Sequence, residues 1–376
     1  MRIESVELQQ LRMPLKSKFE TSFGNISVKD FIIVSIHGEG KTGYAESVAL
    51  EYPMYSEETT GTVFYMLETF LIPKLLESNI SSPEELSNLF APIRRNNMAK
   101  AALEGAVWDL YAKQKGISLA NALGGKKSTI DVGVSIGIEP TVDEVLIKVE
   151  EFLSEGYKKI KIKIKPGFDI ELISAIRKRF GYSVPLMADA NSAYTLNQVD
   201  IFKELDQFNL MMIEQPLEHD DIIDHAKLQK QISTPICLDE SIHSADDARK
   251  AIELGSCKII NIKIGRVGGL YESKKIHDLC MANQIPVWCG GMIETGIGRA
   301  HNIAITSLPN FTIPGDTSAS NRYWDEDIVS PEVMLSNPGI LDVPTSHGIG
   351  YEIDQNKVNK FLVQKKSFKR NNSIVG

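Results

Sequence analysis

Five ionisable residues recur through the second half of this chain at nearly constant spacing. Lys163, Asp189, Glu214, Asp239 and Lys263 are separated by 26, 25, 25 and 24 residues. Each carboxylate closes a short apolar run. Val184–Ala188 ends in Asp189-Ala190-Asn191, Leu210–Ile213 in Glu214-Gln215-Pro216, and Pro235–Leu238 in Asp239-Glu240-Ser241. Apolar runs repeating at the length of a strand–helix unit place all five residues at equivalent ends of consecutive strands. Three carboxylates converging there repel one another unless a cation neutralises them. All-oxygen ligation with room for water suits Mg²⁺ best, with Mn²⁺ as the alternative, and no His or Cys shares the register to favour zinc. Asp189, Glu214 and Asp239 are the candidate metal ligands.

The run Lys159 to Lys165 alternates four lysines with three isoleucines. In an open sheet this is a half-solvated strand. In a closed barrel the isoleucines face the outer helices, and Lys161 and Lys163 point into the barrel and its mouth. Burial lowers a lysine pKa toward that of a usable base. Lys163 is therefore the candidate base, with Lys161 supporting it and Lys263 approaching from the opposite side.

The elements that must position these residues follow two grammars. From Thr129 the chain alternates apolar runs with amphipathic helical stretches such as Val142–Glu155 and Ala245–Leu254. The runs are Ile130–Ile138, Lys159–Lys165, Val184–Ala188, Leu210–Ile213, Pro235–Leu238, Lys258–Ile264, Pro286–Cys289 and Phe311–Pro314. Eight strands in strict alternation predict a (β/α)₈-type barrel over 126–320. A doubly wound sheet is disfavoured because the first strand–helix turn lacks GxGxxG. Residues 1–125 instead show early strands (Ile3–Met13, Phe31–His37), a Gly-rich hairpin turn at 38–43, and then helices. Ser82-Pro83 reads as a helix start, and Asn97–Lys115 as a helix stopped by Gly116. This is an α+β capping domain, to which 321–376 partly returns, with Lys365–Gly376 read as a solvated tail. The fold class is α/β: a modified (β/α)₈, TIM-type barrel with an α+β cap.

The 376 residues carry 41 basic and 49 acidic side chains, a net charge of −8. That balance argues against nucleic acid or an anionic membrane as partner and leaves a small anionic substrate open, since local charge decides it. No apolar run approaches a membrane span, and the N-terminus starts no signal peptide. Cys237, Cys257, Cys280 and Cys289 lack CxxC pairing and read as reduced, buried thiols of a cytoplasmic protein.

These segments resemble the enolase superfamily in its muconate-lactonising branch, over essentially the whole chain. Lys161-Ile162-Lys163 matches the KxK base motif, Asn261-Ile262-Lys263 the opposing lysine, and the three acidic segments the metal ligands. Gly290-Gly291-Met292-Ile293-Glu294-Thr295-Gly296 and Pro314-Gly315-Asp316-Thr317-Ser318-Ala319 are similar to o-succinylbenzoate synthases related to N-acylamino acid racemases. The resemblance implies a carbon–oxygen lyase of menaquinone biosynthesis. Lys163 removes an α-proton, an enediolate forms, and water leaves 2-succinyl-6-hydroxy-2,4-cyclohexadiene-1-carboxylate in the syn sense. N-succinylamino acid racemisation by the same lysine pair is the alternative, and one protein can do both.

By the same resemblance, Ser135 and Ile293 line the acyl pocket, and the loops Phe19–Gly24 and Leu50–Tyr55 form a lid in which Phe23, Tyr52 and Tyr55 contact substrate. Read alone, Ser135 and Ile293 would be core. Asn191 shares a strand side with Asp189 and either contacts the substrate or structures the loop. Glu240 follows a ligand by one residue and supports it from behind, while Asp316 orients a lysine or caps a turn. The seven histidines share no ligand spacing, and Gly265–Gly269 reads as tight loop packing. A Schiff-base aldolase would need one lysine and no carboxylate triplet; a retired scaffold barrel would need neither. A homo-oligomer is compatible with the sequence.

Overall fold

The computed structural model describes residues 1–21 and 24–370. The chain begins with a long antiparallel hairpin, Ser5–Thr21 against Gly24–Gly38, followed by Lys41–Ser47. Alternation along these strands buries Val6, Leu8, Val34 and Ile36 against the helix Asn97–Lys115. The approach is close: a Cβ on Gly43 would lie 2.1 Å from the Ala106 carbonyl oxygen. Gly116, at φ +69°, ends the helix in the left-handed conformation expected of its glycine.

Of the expected loop at Phe19–Gly24, residues 19–21 and 24 continue the hairpin strands, with Phe19 and Thr21 paired to Ile26 and Gly24. Phe23 lies outside the described residues. Of the expected solvated tail, 365–369 is strand as well, and 371–376 lies outside the described residues. Leu362–Lys369 pairs antiparallel with Ser5–Leu11 as the outer strand of the same sheet. Its charged side chains read as tail because an edge strand keeps them in water.

Seven parallel strands then follow in sequence order around one sheet. The first to seventh are Val134–Ile136, Ile160–Lys163, Leu186–Asp189, Ile213–Glu214, Ile236–Leu238, Ile259–Ile262 and Val287–Cys289. The expected first strand, Ile130–Ile138, is divided. Thr129–Asp131 pairs antiparallel with Ile340–Asp342, and only Val134–Ile136 joins the barrel. Gly133 lies at the division, where a Cβ would sit 2.8 Å from Lys159. The eighth run, 311–314, forms no continuous strand; Phe311 bridges Val287 and the next residue, Gly315, bridges Val132, which closes the barrel.

Outside the barrel, Ile160, Ile162 and Ile164 pack with helix residues such as Val149 and Ile173 in one core. Inside it, Met187, Met212, Cys237, Ile259 and Trp288 form a separate apolar plug. Above that plug the interior is polar, which is what places the ionisable residues at the mouth.

Two buried glutamates of the cap hold barrel helices by their N-termini. Glu104 accepts from the backbone N–H groups of Leu270 (2.6 Å) and Tyr271 (2.9 Å), where the helix Leu270–Ala282 begins. Glu46 accepts from Thr295 N (3.1 Å) and Gly298 N (3.1 Å), where Gly296–Thr306 begins. Each satisfies donors that the helix itself leaves open and places its carboxyl oxygens at the positive end of the helix dipole. Burial pushes both carboxyls up to about 7. All four cysteines are buried and unpaired. No helix among the described residues is long and apolar enough to cross a membrane.

Candidate active site

Parallel register brings the spaced residues side by side. Lys163 is the Cα partner of Asp189, Asp189 of Glu214, and Glu214 of Cys237, two residues before Asp239. Asp189, Glu214 and Asp239 are each at most 1% exposed. The backbone turns sharply beyond the strand ends: Asn191, Ser192 and Gln215 have φ of +41°, +62° and +38°. Non-glycine residues rarely hold such values unless their surroundings fix them.

The lysines meet these carboxylates. Lys163 Nζ lies 2.7 Å from Asp189 Oδ2 and donates to Asn191 Oδ1 at 2.5 Å. Lys161 Nζ stands 3.1 Å from Asp189 Oδ2, 3.1 Å from Glu214 Oε2 and 2.8 Å from Asp316 Oδ2. Lys263 Nζ pairs with Asp239 Oδ2 at 2.8 Å and lies 4.3 Å from the centre of the Tyr55 ring. Burial lowers Lys163 from the ordinary lysine value, and the charge of Lys161 adds to this against Asp189. For Lys161 the burial penalty is outweighed by Asp316, Glu214 and Asp189, which raise it. Lys263 is also raised, with Tyr55, Glu214 and Glu240 overcoming burial and the opposing Lys161.

Of the supporting residues, Asp316 stands between two lysines, its Oδ1 3.0 Å from Lys159 Nζ and its Oδ2 on Lys161, and they hold it down at about 2. Glu240 Oε1 accepts from Asn191 Nδ2 at 3.0 Å, while its buried Oε2 has no hydrogen-bond partner among the described residues. Asn191, Ile293 and Tyr55 line one cavity of about 60 Å3 with Lys163, Lys263 and Phe19 of the hairpin. Tyr55 also donates to Asp239 Oδ1 (3.1 Å). Ser135 is not among the described lining residues; it pairs with Lys161 on the first strand, its Oγ buried and unsatisfied. Tyr52, 63% exposed, faces solvent instead of the cavity. Its lid position in sequence did not determine its direction.

Three further residues belong to the cluster. Arg266 pairs with Asp239 Oδ1 and donates to the carbonyls of Ile242 (2.6 Å) and Asn261 (2.5 Å). Asn261 Nδ2 donates to Glu214 Oε1 at 2.7 Å. Lys159 lies fully buried over Trp288, 3.4 Å from the ring centre. The alternation of the lysine run signals Lys159, and Asn261 lies two residues before Lys263. Arg266 sits in the short helix Ile264–Val267, within a glycine-rich stretch whose composition announces only tight packing.

Five carboxylates (Asp189, Glu214, Asp239, Glu240, Asp316) thus face five cations (Lys159, Lys161, Lys163, Lys263, Arg266), all at most 8% exposed. No three acidic, His or Cys side chains among the described residues form a ready-made metal cage, because lysine and arginine hold the carboxylates. The donor set nevertheless fits an oxygen-seeking divalent ion: three buried carboxylates on adjacent strands, with Asp189 raising the Glu214 pKa by like-charge repulsion in addition to burial. A buried cluster already balanced in charge has no positive charge left over for an anionic substrate, and a divalent cation would supply it.

Residues 3–124 match the N-terminal domain of the mandelate racemase / muconate lactonizing enzyme family, and residues 144–357 match the enolase C-terminal domain-like family. An o-succinylbenzoate synthase of Geobacillus kaustophilus is 58% identical over 98% of each chain. An N-succinylamino acid racemase of Thermus thermophilus is 48% identical over 94% of this chain and 95% of the relative. The crystal structure of an enolase-superfamily member from Listeria innocua superposes with a TM-score of 0.95 at 45% identity, covering 99% of this chain and all of that one.

Proposed function

The chain belongs to the mandelate racemase / muconate lactonizing enzyme family of the enolase superfamily, and from that premise we propose that it catalyses the o-succinylbenzoate synthase reaction. Water is lost in the syn sense from 2-succinyl-6-hydroxy-2,4-cyclohexadiene-1-carboxylate, a cytoplasmic step of menaquinone biosynthesis. The observation that carries this reading is the meeting of Lys163 and Lys263 in one cavity beside three buried carboxylates.

Lys163, lowered by burial, takes the α-proton and then returns it to the departing hydroxyl on the same face, so one side chain serves as base and acid. Asn191, in contact with Lys163, orients it, and Asp316 fixes Lys161 so that its positive charge stays beside Lys163. Lys263 remains a cation facing the anion that forms. When bound to Asp189, Glu214 and Asp239, a divalent cation supplies Lewis-acid stabilisation of the charge developing on the substrate carboxylate. Phe19 and Tyr55 line the cavity from the cap side and reduce the access of water to the reacting atoms.

Racemisation of N-succinylamino acids is the second reading. It is favoured by the placement of a second lysine where it can exchange a proton at the opposite face of the same anion. Lacking a β-hydroxyl, such a substrate can only be reprotonated. The deciding measurement compares kcat/KM for the cyclohexadiene and for a series of N-succinylamino acids with Mg²⁺ present. The synthase value is expected to be the larger; an amino-acid value about tenfold above it would reverse the assignment.

A further inference from the structure

Lys29 lies on the second strand of the cap, 1% exposed, and no part of the chemistry above uses it. Its ammonium donates to two carbonyls, Val48 O at 3.0 Å and Met292 O at 2.9 Å. Val48 leads into the lid loop, whereas Met292 belongs to the turn that follows the seventh barrel strand. One side chain thus joins the cap to the turn that walls the cavity.

That turn holds an unusual conformation. Ile293 sits at φ +59° with its side chain lining the cavity. A β-branched residue there is a genuine outlier and persists only where the surroundings over-determine it. The fixings flank it closely. Lys29 holds the carbonyl of the preceding residue. Met292 N donates to Glu294 Oε2 at 2.9 Å, Glu294 Oε1 accepts from Asn302 Nδ2 at 3.0 Å, and Glu294 O accepts from Trp324 Nε1 at 3.0 Å. Glu294 and Asn302 belong to the barrel and Trp324 to the C-terminal segment that follows it, so Lys29 is the member of this set from the N-terminal cap.

We propose that Lys29 is a positioning residue: by holding the Met292 carbonyl it keeps Ile293 in the left-handed conformation that walls the pocket for the substrate's succinyl arm. This rests on the succinyl-substrate reading above. The ammonium suits the task because burial and bifurcation onto two carbonyls fix it, with Glu46, Glu294 and Asp30 providing opposing charge. An apolar residue of equal length would fill the space and leave the carbonyl untethered.

The test is a double-mutant cycle in the full-length, Mg²⁺-loaded enzyme using Lys29→Met, Ile293→Gly and both together. Glycine at 293 adopts the conformation without strain and needs no tether. Lys29→Met is expected to raise KM for the succinyl substrate, and Kd for the product o-succinylbenzoate, about tenfold, with kcat changed less than about threefold. In the Ile293→Gly background the same change should have an effect below about twofold. Equal effects in both backgrounds, or KM and Kd unmoved by Lys29→Met, would overturn the proposal. If Lys29→Met does not fold, Lys29→Gln, whose shorter amide cannot reach both carbonyls, enters the same cycle. A crystal structure of the variant reads the φ of residue 293 directly. A return to negative φ supports the tether and an unchanged value sinks it, even if the wild type turns over no succinyl substrate and the proposed reaction itself fails.

Discussion

Lys163 and Lys263 reach one cavity from the second and sixth barrel strands, each paired to a carboxylate, with their pKa values displaced in opposite directions. The difference predicts an asymmetric loss. Lys163→Ala should lower the dehydration kcat/KM by roughly 10²–10⁴, the usual worth of a positioned general base. Exchange in D₂O separates the two roles. With N-succinylamino acids, Lys163→Ala should abolish α-proton exchange of one enantiomer and Lys263→Ala that of the other, read by NMR. Loss of both exchanges in either variant would contradict a two-base arrangement.

Chelation should abolish activity, and Mg²⁺ or Mn²⁺ should restore it. Asp239→Asn should raise the metal concentration needed for half-maximal activity, because a neutral amide neither attracts the ion nor balances Lys263 and Arg266 as the carboxylate does. Full turnover in EDTA, with borohydride trapping a substrate on Lys163, would replace the enediolate reading by a Schiff-base one.

Asp316→Asn removes the carboxylate shared by Lys159 and Lys161. Breaking a buried pair from one side leaves charge uncompensated, a loss of about 3–5 kcal/mol. Urea denaturation should show that destabilisation, and kcat should fall as Lys161 shifts. A stability within about 0.5 kcal/mol of the wild type would mean that the lysines find other partners.

Glu104 yields a pH dependence of stability. Burial raises its folded pKa from 4.5 to about 7, so between these values the native state holds a proton that the unfolded state has released. The contribution is fully present below 4.5 and is lost as pH rises through 7, at up to about 1.4 kcal/mol per pH unit. Urea midpoints at pH 5.5, 6.5 and 7.5 should fall more steeply for the wild type than for Glu104→Gln. Parallel slopes would show that Glu104 stays ionised in the native protein.

The chemistry was legible where it depended on repetition. One strand–helix unit per residue of the series is enough to bring all five to the same end of the barrel; parallel register aligns Lys163, Asp189 and Glu214 directly, while Asp239 lies two residues beyond Cys237, the partner of Glu214. Strand alternation likewise foretold that Lys161 and Lys163 point inward. What sequence could not supply was contact across elements distant in the chain. Arg266 looks like an incidental member of a glycine turn until Asp239 stands beside it. Lys29 looks like a surface residue of an alternating strand until the barrel covers it. Tyr52 and Tyr55 are near neighbours in one loop, yet a backbone turn sends one to solvent and the other to Asp239. The eighth run contributes only an isolated bridge at each edge of the ring, through Phe311 and the adjoining Gly315, and forms no continuous strand.

The pairing of Leu362–Lys369 with Ser5–Leu11 has a consequence for how the molecule comes into being. The residues that complete the cap's sheet are translated after the whole barrel, so during synthesis the catalytic ring can be finished while its cover still lacks an edge. The strand pairs with Ser5–Leu11, away from the Phe19 end of the hairpin that lines the cavity, so the sheet's edge is added last, and cleavage just before Leu362 should leave a folded barrel beneath a loosened roof.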